Sequence, residues 1–567
     1  MNNRGKWICA LATVSLIRSA LNFRCGTDKM RGMFRVFSAA LLSLSVLSMH
    51  AAVFTVTTTN ASGPGSLFQA ITDANNASGA DRIGFAIPGD GPHIIFPTVP
   101  LPDIADALVI DGYSQPGAVP NRSIDAFDAD IRIQLDGSRG GASAGLTLTT
   151  SNCAISGLAI VRFRMGMRTA VGPNIIHGNM IGLAIDHTAA GNTEGGLIIQ
   201  GQLHVIGGTI PAARNVISGN TSYGIHLEAL GRYTTILGNL IGVDESGLST
   251  RPNTCCGIRI ETPGNIVGGI TPEARNVISG NGTFGVDLKV LATGNVIQGN
   301  YVGPDVTGTN ALGAQRFGIN IVSAHTNYIG GLTPGAANSI AFNLQPGIYA
   351  DTRGTRANSI RGNSIHSNGG LGIDLDGFIV VTPNDAGDLD TVQNFPVLLS
   401  AQNSSSVLVV SGSLSSRPNH TYAVDFYANR ICDASGYGEG EFYVGSTNLT
   451  TDDSGNISFS ANLPPVAPGF SVVTATATDG IRNTSEFSQC VTVVQVPTLR
   501  AIYSNSVVLI QWPSSTPPEF NLEVSMALRG SADWAPVLEG VTDDGEFRTL
   551  RIAPDAQSSR MFYRLRR

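Results

Sequence analysis

The sequence predicts an all-β protein: a parallel β-helix, then a β-sandwich and a small C-terminal all-β module. Three observations predict it. First, the hexad NVISGN occurs at 215–220 and again at 276–281. Its relatives are NIIHGN at 174, HVIGG at 204, TTILGN at 234, NIVGG at 265, NVIQGN at 295, NYIGG at 327, NSIAFN at 338 and NSIRGN at 358. From position 204 these fall into three series, each recurring after 61 to 63 residues. Second, a Gly-apolar-x-apolar motif interleaves with them: GLTL at 145, GIHL at 224, GIRI at 257, GVDL at 285, GINI at 318, GIYA at 347 and GIDL at 372. Third, the chain has 67 glycines in 567 residues and only 14% charged residues, and no run of helical apolar spacing accompanies the repeats. Short strands, a fixed period and Gly/Asn corners describe a solenoid whose coils stack about 4.8 Å apart.

The elements follow in order. Residues 1–52 read as a leader. KMRGMFR is a basic start, and VFSAALLSLSVL at 36–47 is an apolar run of secretory length, too short to span a membrane. Cleavage is placed loosely near 49–52, and no cysteine follows to suggest a lipoprotein. The start is Met30 or Met33 unless the signal is unusually long. At 66–75, Ser66 and Gln69 make an S-x-x-Q capping box, and Leu67, Ala70, Ile71 and Ala74 give one apolar face. This predicts a helix that plugs the open end of the solenoid. The β-helix extends from 53 to 395. Within the hexad, Val and Ile are expected in the core and Gly at a positive-φ corner. Asn is expected to tolerate the left-handed region and to bond to the Asn one coil above. Two longer excursions, 241–257 and 302–318, project from one corner, where solenoids often carry binding surfaces. Alternating strands at 396–494 predict a sandwich, and 497–567 a smaller β unit.

GPGSLFQAITDAN (63–75) is similar to the GSLRQAI segment that opens many secreted bacterial right-handed parallel β-helix proteins, with Phe68 in place of Arg. LVIDGYSQPG (108–117) and IQLDGS (133–138) also resemble that family's first coils. The family is related in fold to pectate lyases, and the resemblance covers roughly 53–395. VDFYANRICDASGYGEGEFYVGS resembles a module that often follows such β-helices. The resemblance implies a right-handed coil. It does not imply an activity, because lyases, hydrolases, adhesins and inert stalks share the fold.

Net charge is −7 without a basic cluster, so nothing points to nucleic acid. In each Gly-apolar-x-apolar strand, x and the residue after the motif point outward. One column reads His226, Arg259, Asp287, Asn320, Tyr349, Asp374, and the other Glu228, Glu261, Lys289, Val322, Asp351, Asp376. Asp351, Asp374, Asp376 and Asp287 are the candidate catalytic carboxylates, since glycoside hydrolysis needs two about 5–9.5 Å apart. An exposed strand face is ordinarily polar, and no pectin-hydrolase or pectate-lyase motif accompanies them. Asp385, Asp388 and Asp390 crowd one loop and are candidate calcium ligands, with a solvated loop as the alternative. Cys432 and Cys490 can pair in an oxidising compartment. The adjacent Cys255 and Cys256 read as small packing residues, and His177, His187, His325 and His366 lack ligand spacing. Tyr223, Phe317 and Tyr349 lie near the outward face, where aromatic rings can stack on sugars.

These features predict a secreted or cell-surface protein, monomeric and without a membrane span once processed. It would present its repeat face to a polysaccharide, a cell-surface glycan or a partner, without catalysis. The alternative is a polysaccharide lyase or glycoside hydrolase. A cleft between the two excursions with converging carboxylates favours the enzyme, and a flat face favours binding.

Overall fold

The computed structural model describes residues 51–566, apart from 141–142, 229, 352–354, 377–379, 391, 517, 527–533 and 554–560. All but the last two residues of the expected leader lie outside the described residues. Three long parallel sheets form the first part of the described chain. Sheet A has eleven strands, from Val53–Val56 to Ser359–Arg361. Sheet B has ten, from His93–Ile95 to Ser364–His366, and sheet C nine, from Ala144–Leu148 to Ile373–Leu375. Each strand pairs in parallel with the equivalent strand of the next coil: Val205 with Thr235 in sheet A, Val216 with Leu240 in B, Ile225 with Ile258 in C. The chain is therefore a parallel β-helix, as the period predicts.

The core is built by period-2 alternation. Ile206, Ile217, Ile225 and Leu227 point inward and are fully buried, as are Val267 and Ile278 in later coils. The hexad's valines do not join them. Val216 and Val277 belong to a separate cluster with Leu183, Leu240 and Val243 on the outer side of sheet B. Two consecutive strand residues cannot face the same side, so Ile takes the core and Val the outside. The valines are nevertheless buried, because the excursions fold back over them. Val306 and Leu312 from the second excursion pack on this cluster. Each excursion is closed by its own aspartate. Asp244 accepts from Ser246 Oγ and the Leu248 amide, and Asp305 from Thr307 Oγ1 and the Asn310 amide. The excursions thus cover sheet B and do not flank a cleft on sheet C.

The hexad's asparagines run in two ladders, one at each end of the sheet B strand. In the first, Asn179, Asn215, Asn239, Asn276, Asn300, Asn338 and Asn363 are linked in series, each donating Nδ2 to Oδ1 of the next at 2.9–3.3 Å. The second runs Asn192, Asn220, Asn253, Asn281, Gln315, Asn343, Asn368. A third, Asn265–Asn295–Asn327–Asn358, flanks sheet A. None of these residues has positive φ; in the hexads that role falls to Gly219 and Gly280, at 77° and 71°. Asn is required for its two-sided amide, not for the left-handed region.

Helix α1 (Leu67–Asn76) buries Leu67, Ala70, Ile71 and Ala74 against the first coil. Ser66 Oγ accepts from the Gln69 amide, but the Gln69 side chain donates to Asp73, so only half of the capping box forms.

Residues Val397–Gln495 make a seven-stranded sheet folded over its own core of Leu408, Val410, Tyr422, Val424, Phe426 and Ala475. Its two leaves meet at strand Val491–Gln495, which pairs antiparallel with one and parallel with the other. This unit seals the last coils of the solenoid. Tyr427 and Phe487 join the solenoid core. Ile365 and Gly440 exchange backbone hydrogen bonds of 2.8 and 2.9 Å. Arg361 forks onto the buried Asp425 at 2.7 and 2.6 Å. Cys432 and Cys490 are joined by a disulfide. Beyond it, two small antiparallel sheets share a core of Ile510, Trp512, Leu522 and Leu550.

Candidate functional site

The three outer faces differ in chemistry. Sheet B is covered by the excursions. Sheet A carries a column of mainly β-branched residues, including Val205, Thr235, Ile266 and Val296, with Arg82 near its first coil and Tyr328 near its last. Sheet C carries nearly all the chemistry.

On sheet C the residue before each motif glycine forms one column. Tyr223, Cys256, Phe284 and Phe317 are partners on successive strands. Phe284 and Phe317 have ring centroids 5.4 Å apart, and Tyr349 continues the ridge 5.9 Å from Phe317. The rings are half-buried. Cations lie over their faces: Arg259 over Tyr223 at 5.4 Å, Lys289 over Phe284 at 5.6 Å, Arg316 over Phe317 at 5.6 Å.

The first outward column expected from the sequence is present in register, and in the second Val322 pairs with Asp351. His226 pairs with Arg259, Arg259 with Asp287, Asp287 with Asn320, Asn320 with Tyr349 and Tyr349 with Asp374. The face is internally paired. Arg259 Nε donates to Glu261 at 2.7 Å, Asn320 Nδ2 to Asp287 at 2.6 Å, and Lys289 lies 3.3 Å from Asp287. Gln200 Nε2 donates to Glu228 at 2.7 Å. His226 stacks on Tyr223 at 4.7 Å and lies 3.6 Å from both Glu228 and Glu261. Burial lowers the imidazole pKa despite those carboxylates.

Of the four candidate carboxylates, Asp287 stands apart from Asp351, Asp374 and Asp376, which lie on the last two coils. Asp287 is 1% exposed and held by Asn320 and Lys289. It lies three strands from Asp374 in the same column, about 14 Å at the usual strand spacing, which is beyond the range of an acid–base pair. Asp351 and Asp376 are brought side by side, since the Asp376 amide bonds to Ala350 O at 3.0 Å. Asp374 is buried at the seam, close enough to Glu486 to raise its pKa. Asp385, Asp388 and Asp390 do face one another, with carboxylate oxygens within 4.8 Å. Each also closes its loop, accepting from the amides of Leu389, Asn394 and Val392 respectively. Asp388 further accepts from Ser416 Oγ at 2.9 Å and lies 3.8 Å from Arg417. Burial pushes its carboxyl upward. Asp385 Oδ1 is buried without a hydrogen-bond partner. An all-oxygen set of this kind fits a hard divalent cation.

No family model and no curated protein matches the chain. Among solved structures it is similar to an alginate lyase from a Paenibacillus species, at 13% identity and TM-score 0.32, over 57% of this chain and 98% of that one. It is also similar to the tailspike protein of E. coli bacteriophage HK620 in complex with a pentasaccharide, at 11% identity and TM-score 0.20, over 71% and 89%. This chain is a parallel β-helix. Its own three sheets establish that, and the two likenesses add no weight at such scores.

Sequence reasoning found Tyr223, Phe317 and Tyr349 but missed Phe284, whose signal is its place directly before the glycine of GVDL. It also missed Glu439 and Glu486, which the second unit inserts at the seam. Asn368 Nδ2, the last rung of its ladder, donates to Glu439 at 2.8 Å. The Leu375 and Thr382 amides both donate to Glu486 at 2.8 Å. Burial raises both carboxyls to about 8. Nothing local in YGEGEFY or TSEFSQ announces this, because the partner residues lie 71 and 111 positions away for Asn368 and Leu375.

Proposed function

We propose that this is a secreted or cell-surface protein that binds a polysaccharide or cell-surface glycan along the outer face of sheet C, without cleaving it. The observation that carries the reading is the ridge Tyr223–Phe284–Phe317–Tyr349, set beside paired carboxylates, guanidinium and ammonium groups on the same coils. Ring faces suit the apolar faces of sugars, and the fixed polar partners suit their hydroxyls. The face carries six carboxylates (Glu228, Glu261, Asp287, Asp351, Asp374 and Asp376) against Arg259, Lys289 and Arg316, and this acidic excess favours hydroxyl recognition over simple attraction of a polyanion. The β-helix holds the contacts in a line at coil spacing, matching an extended chain ligand. Calcium at Asp385, Asp388 and Asp390 would tie that loop to the sheet through Ser416 and serve stability.

The test is retention of the full chain on immobilised neutral and acidic polysaccharides, with reducing ends and unsaturated uronates measured in parallel. Retention on one polysaccharide without new ends supports the reading. New ends lost in Asp374→Ala or Asp376→Ala would replace it with the lyase or hydrolase alternative.

A further inference from the structure

The aromatic column has one interruption, and it is chemical. Where neighbouring coils present Tyr223 and Phe284, this coil presents Cys256, preceded by Cys255. The two sulfurs are 2.6 Å apart. Cys256 is fully buried, while Cys255 is partly exposed. Adjacent coils pin the backbone on both sides: the Cys255 amide donates to Ser222 O at 2.9 Å, and Cys255 O accepts from Thr283 and Phe284 at 2.7 and 3.1 Å. The dithiol is thus held in contact by structure that does not depend on it. Elsewhere in the same chain Cys432 and Cys490 form a disulfide, so the environment that suits this fold oxidises thiols.

We propose that Cys255 and Cys256 are a redox modification site that closes to a disulfide between adjacent residues, with an external disulfide of the glutathione class as oxidant. The chemistry divides between them. Cys255 is the reachable sulfur, and its hydrogen bond with Cys256 lowers its pKa. Its thiolate attacks one sulfur of the external disulfide, breaking that S–S bond and releasing one thiolate, which takes up the proton Cys255 lost. Cys256 then loses its proton and attacks the Cys255 sulfur, expelling the second external thiolate, which takes up that proton. One external disulfide becomes two thiols, and two protein thiols become one disulfide. The Asp287 carboxylate, 3.8 Å from Cys256 Sγ, stands on the side from which that second proton leaves. The closed ring is an apolar sulfur surface between Tyr223 and Phe284. It fills the break in the ridge and holds no ionisable thiol there. Cys153, buried and distant in sequence, is the internal control.

The experiment treats the full folded chain with glutathione disulfide, then denatures it in an alkylating reagent without reductant and maps the peptides by mass. The expected result is alkylation of Cys153 alone among residues 51–566, with the Cys255–Cys256 peptide two hydrogens lighter than its dithiol form. Cys256→Ser should instead accumulate one glutathione adduct on Cys255, and Cys255→Ser should leave Cys256 as a free thiol. Alkylation of both Cys255 and Cys256 in a protein whose Cys432–Cys490 bond is intact would overturn the proposal. So would a stable glutathione adduct on Cys255 of the unsubstituted chain.

Discussion

At the scale of residues, the asparagine ladders decide what the solenoid tolerates. A buried amide stacked between two others has its acceptor and its donors satisfied, and removing one strands partners on both neighbouring coils. Asn239 is such a rung. It accepts from the Asn215 amide and Nδ2, and donates to Ile206 O, Leu237 O and Asn276 Oδ1. Asn239→Ala should therefore cost roughly 2–4 kcal/mol in denaturant unfolding, more than loss of a terminal rung such as Asn192. A change within experimental error would mean that water replaces the rung without penalty. The repeat that carries these residues was legible from the sequence, as was their hydrogen-bonding role. The positive-φ corner of the hexad glycine was legible too, but the outward face of its valine and the backbone conformation of its asparagines were not. The excursions that bury Val216 and Val277 arrive from other coils, and the sequence offered Asn215 two explanations of which only one applies.

At the scale of elements, the seam between the solenoid and the folded sheet is the sensitive part. Glu439 ends an asparagine ladder, and Glu486 holds the amides of Leu375 and Thr382. Both have folded pKa values near 8, raised by burial above the unfolded carboxyl value of 4.5. The unfolded chain gives up these protons first as pH rises. Stability is thus fully present below about pH 4.5 and is lost progressively up to about pH 8. The upper bound is on the order of 3–5 kcal/mol per carboxyl. Thermal unfolding should fall from pH 5 to pH 8.5, and Glu439→Gln with Glu486→Gln should flatten that fall and raise the midpoint at pH 8.5. A double variant that keeps the full pH dependence would remove these groups from the account. The acidic loop makes a separate prediction. Millimolar calcium should raise the midpoint by a few degrees, an effect abolished in Asp385→Asn/Asp388→Asn; no shift would leave the loop held by its own hydrogen bonds and Arg417. The seam was illegible in the sequence because it is made of contacts more than 60 residues apart, such as Arg361 with Asp425. The strands on either side of it carried strong period-2 signals and were readable.

At the scale of the whole molecule, the chain gives each face one task. The interior holds the aliphatic core, sheet B supports its own covering loops, and sheet C keeps a line of rings and paired charges half open to solvent. Helix α1 packs its apolar face on the first coil, and the folded sheet seals the last coils through Tyr427, Phe487 and the Ile365–Gly440 hydrogen bonds. The columns of sheet C were readable as columns, because the Gly-apolar-x-apolar motif fixes their register. Their meaning was less so: of the candidate carboxylates, Asp287 stands alone in the middle of the face, while Asp351, Asp374 and Asp376 gather on the last two coils at the seam.

The most direct test of glycan binding on sheet C is affinity electrophoresis of the full chain and of Tyr223→Ala, Phe284→Ala and Phe317→Ala through gels containing the retained polysaccharide. Each substitution should weaken retention by about 3- to 10-fold, the equivalent of one aromatic stacking contact, while a substitution on the sheet A face such as Ile266→Ala leaves it unchanged. Equal retention of all four variants, with the parent retained, would place the glycan elsewhere and contradict the account.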